Sequence, residues 1–284
     1  MLRHWNEDYA MTKETTGLED GLPVAEAGEW AAEKHRLLAD YIVATRYVRG
    51  KVKRGQAIPA YIDLFSGPGR ACITKTGEII DGSPLVAWKA AAGRENPFTS
   101  VLVSDIHRGY AEAAETRLKR LTAPVQARRC SAVEAAKWAA DQIDPNSYHL
   151  AFVDPYNLGG LPWEVFKVLL PHKHLDFIVH FSEGDLTRNL DTYSAKEQSS
   201  LDSFAPGWRE KVGDMRDPVQ TRGLFFEHWI GLFEAEGYQL AKAIKFTNSK
   251  NATLYRLILL SREASLATKI WKSVAKDRQT GWDF

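Results

Sequence analysis

The chain of 284 residues is poor in several features that would point to a simple function, and each absence excludes something. It has only two cysteines, Cys72 and Cys130, at neither metal-ligand spacing nor disulfide density, which excludes a disulfide-stapled scaffold and a thiolate zinc site and fits a reducing cytoplasm. No uninterrupted apolar run is long enough to cross a bilayer, and the first residues, Met1-Leu2-Arg3-His4-Trp5-Asn6-Glu7-Asp8, carry no apolar leader. The expectation is a soluble cytoplasmic protein with no membrane partner. An excess of one charge is missing too: 37 basic residues stand against 36 acidic ones, so any cationic surface is local. Gly-Lys-Ser/Thr is absent, which leaves a phosphate-gripping P-loop unsupported. There is no internal repeat, low-complexity tract or interdomain linker, and the length suits one large domain with appendages and a substantial core.

What the chain does have is Ala60-Tyr61-Ile62-Asp63-Leu64-Phe65-Ser66-Gly67-Pro68-Gly69-Arg70, an apolar run with an acid near its end and two closely spaced glycines after it. Ile58 to Phe65 is short, β-prone and bounded by turn residues, as a buried strand of a parallel sheet is. Gly67 and Gly69 let the backbone turn tightly and approach a ligand with no Cβ in the way. Asp63 places an acceptor near the strand's carboxyl end, where open α/β sheets bind cofactors. A dinucleotide fingerprint beginning at Gly67 needs its third glycine where Cys72 stands. The pattern D-x-F-x-G-x-G-R resembles the first motif of class I S-adenosylmethionine-dependent methyltransferases. That resemblance implies S-adenosylmethionine as cofactor, held by Asp63, Phe65, Gly67, Gly69 and Arg70.

Residues 1 to about 26 mix acids, glycines and threonines without period and read as a surface segment. Between Ala27 and Val52, Trp30, Leu37, Leu38, Tyr41, Ile42 and Tyr47 recur at helical spacing and predict one long amphipathic helix leading into the first strand. Its basic end, Arg46, Arg49, Lys51, Lys53 and Arg54, reads as a solvated run that suits the helix dipole, with phosphate contact as the other reading. Past the glycine turn, Thr74 to Asp81 is an insertion, and Ser83 caps a helix with Pro84 at its first position. Strands follow at Thr99 to Asp105, Val125 to Arg129, His149 to Asp154 and Leu175 to Phe181, with helices at Ala111 to Leu121 and Ser131 to Ile143, a βαβ series. Ser182 to about Val219 is polar and interrupted, as a lid or substrate wall would be, and a helix covers Leu224 to Ala235. The last two strands, Tyr238 to Thr247 and Thr253 to Leu260, are close enough to pair as an antiparallel hairpin. The fold expected is α/β: a seven-stranded, mostly parallel sheet with an antiparallel C-terminal hairpin and helices on both faces, which resembles the Rossmann-like class I methyltransferase arrangement. Residues 1–56 form an N-terminal helical extension and 57–284 the α/β domain, with the insertion at about 183–219.

Asp105 closes the second strand, where the methyltransferase resemblance implies an acid that accepts hydrogen bonds from ribose hydroxyls, with Ile106 beside it in the cofactor site; capping the next turn is its other reading. Ser131 and Ala132 follow the third strand, where related enzymes touch the adenine amino group. Ser131 fits equally as the N-cap of a capping box completed by Glu134. Asp154-Pro155-Tyr156-Asn157 follows the fourth strand and resembles the loop of methyltransferases that modify exocyclic amino groups of bases, close to the D-P-F-G form of a tRNA guanine methyltransferase family. There a carboxylate and a carbonyl near proline accept the amino hydrogens and an aromatic stacks on the base, so these four residues are the catalytic candidates. A turn with a packed tyrosine is the bland alternative. His107, His149 and His180 read as structural, and no residue set has metal-ligand spacing.

Taken in order, Gly21-Leu22-Pro23, Trp30, the run Glu33 to Tyr41, Asp63 to Arg70, Asp81-Gly82-Ser83-Pro84, Val153-Asp154-Pro155-Tyr156, Arg188-Asn189-Leu190 and Leu254-Tyr255-Arg256-Leu257 resemble the three-Cys-motif partner protein family over most of the chain. The resemblance implies a methyltransferase-like fold and a neighbouring three-Cys-motif protein as partner. It implies no substrate, and the acceptor stays open among DNA, RNA, protein and small molecules. Asn157, where glycine is often expected, and His35 depart from the pattern. Two readings follow: an N-methylating enzyme acting on an amino group, with nucleic acid as a candidate partner, or a non-catalytic scaffold beside the cysteine-motif protein.

Overall fold

The computed structural model describes residues 20–51, 55–213, 217–247 and 253–276. The N-terminal segment contains a short strand, β1 (Ala25–Ala27), and then a helix, α1 (Ala31–Ala44). The single long helix expected here is divided. Thr45 Oγ1 donates back to the carbonyls of Tyr41 and Ile42, a bond that competes with the helical ladder, and a separate turn, α2 (Arg46–Arg49), follows. Arg49 is not solvated with the basic run. It is buried, donates to the carbonyls of Ile42 and Asn96, and lies 4.8 Å over the Phe98 ring, because the broken helix leaves carbonyls for it to satisfy. Val52, Lys53 and Arg54 lie outside the described residues.

The central strand β2 (Ala60–Asp63) leads through the glycine turn into β3 (Arg70–Ile73) and β4 (Ile79–Asp81), so the stretch expected as an insertion is half of a hairpin. β1 lies parallel along β3 and completes a small three-stranded sheet. β1, β3 and β4 are short and only partly buried, so unlike the wholly buried run of β2 they carry too little apolar pattern to be seen in a sequence. The alternation then runs α3 (Ser83–Ala92), β5 (Ser100–Asp105), α4 (Tyr110–Arg120), β6 (Val125–Arg129), α5 (Ala132–Gln142), β7 (His149–Val153), α6 (Trp163–Leu169) and β8 (Leu175–Phe181). It ends with α7 (Glu183–Ser194), α8 (Ser200–Phe204), α9 (Trp208–Val212), α10 (Pro218–Ala235), β9 (Gln239–Thr247), β10 (Thr253–Ser261) and α11 (Ala264–Lys276).

The main sheet has seven strands in the order β6-β5-β2-β7-β8-β10-β9; β10 runs antiparallel to both neighbours and the other pairs are parallel. This is the arrangement expected from the sequence: seven strands, mostly parallel, with an antiparallel C-terminal hairpin. Alternate residues feed two cores. Ile62, Leu102, Ala151, Phe177 and Ile258 face α5, α6 and α10, whereas Tyr61, Val101, Leu150, Ile178 and Leu257 face α1, α3, α4 and α11. The extension therefore shares the domain's core through Leu37, Leu38, Tyr41 and Ile42. The polar stretch after β8 is not a free lid. Leu186, Leu190, Leu201, Phe204, Trp208 and Val212 join the first core, and Phe204 stacks on Trp229 at 5.3 Å. Its apolar residues are shared among short helices with polar links, which hides their period. Residues 214–216, Met215 among them, lie outside the described residues, and α10 starts at Pro218, six residues before the expected Leu224. No helix among the described residues is long and apolar enough to cross a membrane.

Candidate cofactor and acceptor site

The strand order reverses at β2, whose neighbours β5 and β7 connect to opposite halves of the sheet, and the crevice at the carboxyl ends of such strands is where open α/β sheets take ligands. The turn from Leu64 to Gly69 occupies that place. Its backbone is held at successive points: Ser66 N–H donates to the Ser104 carbonyl at 2.9 Å, Gly67 N–H to Asp105 Oδ2 at 2.9 Å, and Gly82 N–H to the Gly69 carbonyl at 2.8 Å. Gly67 and Gly69 have φ of +55° and +84°, the left-handed region that glycine enters without strain. A Cβ on Gly69 would come within 3.3 Å of Ala114 Cα, whereas one on Gly67 would meet nothing within 4 Å. Gly69 is small for packing; Gly67 presents bare backbone to an open side.

Asp63 lies beneath this turn. It is fully buried, accepts from Ser83 Oγ at 2.6 Å, Tyr61 Oη at 3.0 Å and Phe65 N–H at 3.3 Å, and so braces the loop from inside. Burial pushes its carboxyl up to about 7, against the opposing pull of the two hydroxyls. Ser83, expected as a helix cap, is inside the helix and gives its hydroxyl to Asp63, while Gly82 takes the cap position. Asp105 takes the capping role, its Oδ1 accepting His107 N–H at 2.8 Å, and its Oδ2 also holds Gly67 N–H, a contact the sequence did not suggest. Burial raises its carboxyl, while the backbone N–H groups of His107, Gly67 and Ile106 pull against that shift. Beside it Ile106 is 63% exposed, an apolar surface at the rim.

Ser131 caps α5 in a full capping box with Glu134, which engages its hydroxyl and its N–H, and Ala132 opens the helix half-buried. Phe65 packs against the first core, and Arg70 Nε lies 3.9 Å from Asp81.

One strand over, the loop after β7 is anchored from several elements. Asp154 Oδ2 pairs with Lys34 Nζ of α1, and Oδ1 lies 3.0 Å from His180 Nδ1 of β8. Burial alone would raise this carboxyl, but Lys34 and His180 together hold it well below the usual carboxylate range. His180 stands edge-on to the Tyr255 ring at 4.4 Å, and Arg256 Nε contacts Glu183 Oε2 at 2.5 Å on the same side. Pro155 is buried, and Tyr156 is 88% exposed. Asn157 Oδ1 accepts Gly160 N–H at 2.8 Å and caps a 3-10 turn over Leu158–Gly160, a use for the residue that departs from the expected glycine. Leu158 N–H donates to the buried Asp185 Oδ2 at 3.0 Å, which ties the loop to α7.

All four sequence-derived groups thus lie at or just after the carboxyl ends of β2, β5, β6 and β7. Lys34, His180, Ser83 and Asp185 are the participants that the sequence reading missed. Lys34 stood in the Glu33 to Tyr41 run of the family resemblance without a role, and His180 read as structural; nothing in spacing links either to Asp154, 120 positions from Lys34.

No known family model and no curated protein matches the chain. Among solved structures it is similar to LPL1258 of Legionella pneumophila, at 11% identity over 90% of this chain and 95% of that one, with a TM-score of 0.52. It is also similar, at a TM-score of 0.45, to Trm1 of Pyrococcus horikoshii in complex with S-adenosyl-L-methionine, at 11% identity over 84% of this chain and 57% of that one. A Bacillus cereus O-methyltransferase in complex with SAH gives 14% identity, 85% coverage of each chain and a TM-score of 0.45. At these identities the likeness to LPL1258 concerns the fold alone.

Proposed function

We propose that the chain is an S-adenosylmethionine-dependent methyltransferase of the three-Cys-motif partner type that methylates an exocyclic amino group, with a nucleic-acid base as the acceptor. The observation that carries this reading is the open, bare backbone of Gly67 next to Asp105 and Ile106, one strand away from Asp154 and the exposed Tyr156. These residues fit the cofactor: Gly67 leaves room for its approach, Asp105 keeps acceptor positions for ribose hydroxyls, and Ile106 offers an apolar surface for a ring. When bound, it supplies an already activated methyl sulfonium. The chain's own part is alignment: Asp154, ionised by its partners, accepts from the amine, and Tyr156 stacks on the ring that bears it.

A second reading is a non-catalytic partner of a cysteine-motif protein. It is supported by the internal engagement of Asp63 and Asp154, since acids that brace loops and pair with lysine serve a scaffold as well. Calorimetry with S-adenosylmethionine comes first. Binding by the native protein and none by a folded Gly67→Val protein is expected, and equal affinity of the two refutes the placement. Labelled-methyl transfer to pooled nucleic acids and protein then separates the readings: with an acceptor found, Asp154→Ala lowers turnover strongly and Tyr156→Ala weakens acceptor binding, both with cofactor affinity kept. Cofactor binding without any transfer favours the scaffold.

A further inference from the structure

Arg117 of α4 is charged and yet its side chain is only 3% exposed. Its guanidinium is saturated. Nε donates to Asp20 Oδ2 at 2.8 Å and Nη2 to Asp20 Oδ1 at 3.0 Å and the Leu22 carbonyl at 3.2 Å, while Nη1 donates to the carbonyls of Pro23 at 2.8 Å and Pro68 at 2.7 Å. Arginine's fixed fork of five donors makes this possible, and a lysine ammonium has neither the number nor the geometry. Pro68 lies between the two positive-φ glycines of the cofactor turn. Asp20 to Pro23 leads into β1, and β1 lies along β3, the strand that leaves the turn at Arg70. One side chain therefore joins the turn's midpoint to a segment that also grips its exit. Among the described residues the other backbone holds on the turn come from the main sheet, from Gly82 and from Ser66 within the turn; the hold on Pro68 comes from Arg117.

We infer that Arg117 is a positioning residue for the cofactor turn, and that the segment Asp20 to Ala27 is a built part of the cofactor site and not a terminal appendage. The cofactor half of this inference rests on the reading given under Proposed function. A turn carrying two glycines has many conformations to lose on binding, and holding it in place beforehand lowers that cost. The acid of the pair suits a permanent staple, because Arg117 lowers the Asp20 carboxyl to about 2 and the pair stays charged through the neutral range.

The test compares the full-length protein with Arg117→Gln, Arg117→Lys and Asp20→Asn by calorimetry with S-adenosylmethionine and by site-resolved hydrogen exchange. Arg117→Gln is expected to weaken binding by roughly tenfold or more and to speed exchange of the amides from Phe65 to Ile73 by a similar factor, with β7 and β8 unchanged. Arg117→Lys should restore only a small part. Asp20→Asn keeps the contacts with Pro23, Leu22 and Pro68, so it gives a smaller loss of the same kind and serves if Arg117→Gln does not fold. Exchange that rises evenly through the whole domain, or a turn and an affinity that do not change, overturns the inference. If the native protein binds no S-adenosylmethionine, the functional reading fails, and the exchange of the turn alone decides whether the staple positions it.

Discussion

Asp63 ends β2 and Asp154 follows β7, so the two acids stand on neighbouring strands of one sheet, and burial acts on both; their surroundings drive them in opposite directions. Asp63 is given neutral donors only, two hydroxyls and an amide, and burial wins: its carboxyl rises to about 7. Asp154, whose side chain is 18% exposed, is given a lysine's charge with a histidine beside it, and these win over its desolvation. Neutral donors offset only part of the desolvation of Asp63, whereas the opposite charge of Lys34 and the contact with His180 outweigh that of Asp154. The consequence is a division of labour. The turn after β2 has an acid that braces it from below and holds a proton readily, and the loop after β7 has one that remains an anion.

The largest effect should come from removing the charge that separates the two. Lys34→Met leaves Asp154 as a buried carboxylate short of its main partner, and unfolding by urea at neutral pH should show a loss of about 3 to 5 kcal/mol. Lys34→Met combined with Asp154→Asn should recover much of that, and a simple sum of the two single losses would mean that the pair is not coupled.

pH should then divide the acids by sign. The folded state holds the Asp63 proton more tightly than the unfolded chain, whose carboxyl has the ordinary value of 3.8, so this group makes stability fall as pH rises from about 4 to about 7 and contributes no slope above that. Asp154 acts oppositely: its stabilisation is present above the ordinary value of 3.8 and is lost as pH falls below it. In Asp63→Asn the neutral-side fall, at most about 1.4 kcal/mol per pH unit, should disappear from stability measured between pH 5 and pH 8. An unaltered slope would place Asp63 with Asp154 as an ordinary anion.

Asp105→Ala is expected to weaken S-adenosylmethionine by roughly 1 to 3 kcal/mol in calorimetry, since it removes charged acceptors and the hold on Gly67 together. The smallest effect belongs to Ser83→Ala. It removes one hydroxyl from Asp63 and should lower stability by about 1 kcal/mol, with the fall in stability extending to higher pH because the carboxylate loses a donor.

Much of this molecule is written locally. Apolar runs such as Thr99 to Asp105 and Leu175 to Phe181 are long enough to declare buried strands, Gly67 and Gly69 declare a turn in the left-handed region that glycine enters without strain, and Ser131 with Glu134 declares a cap within four residues of chain. Those signals suffice for the sheet and for the four loops on its carboxyl edge, because each depends on neighbours in sequence. The roles of the residues on those loops depend on distant ones. Whether Asp63 reaches out or braces inward was decided by Ser83 and Tyr61, the ionisation of Asp154 by Lys34 and His180, the burial of Arg49 by a helix broken at Thr45, and the grip on Pro68 by Arg117. Charge and hydrogen bonding act through space over a few ångström, and only the packed chain brings Lys34, 120 positions away, to Asp154. Local sequence was enough to place the loops on the carboxyl edge of the sheet; tertiary packing decided which charges and donors stand on them, because desolvation and pairing exist only once the elements have closed on one another.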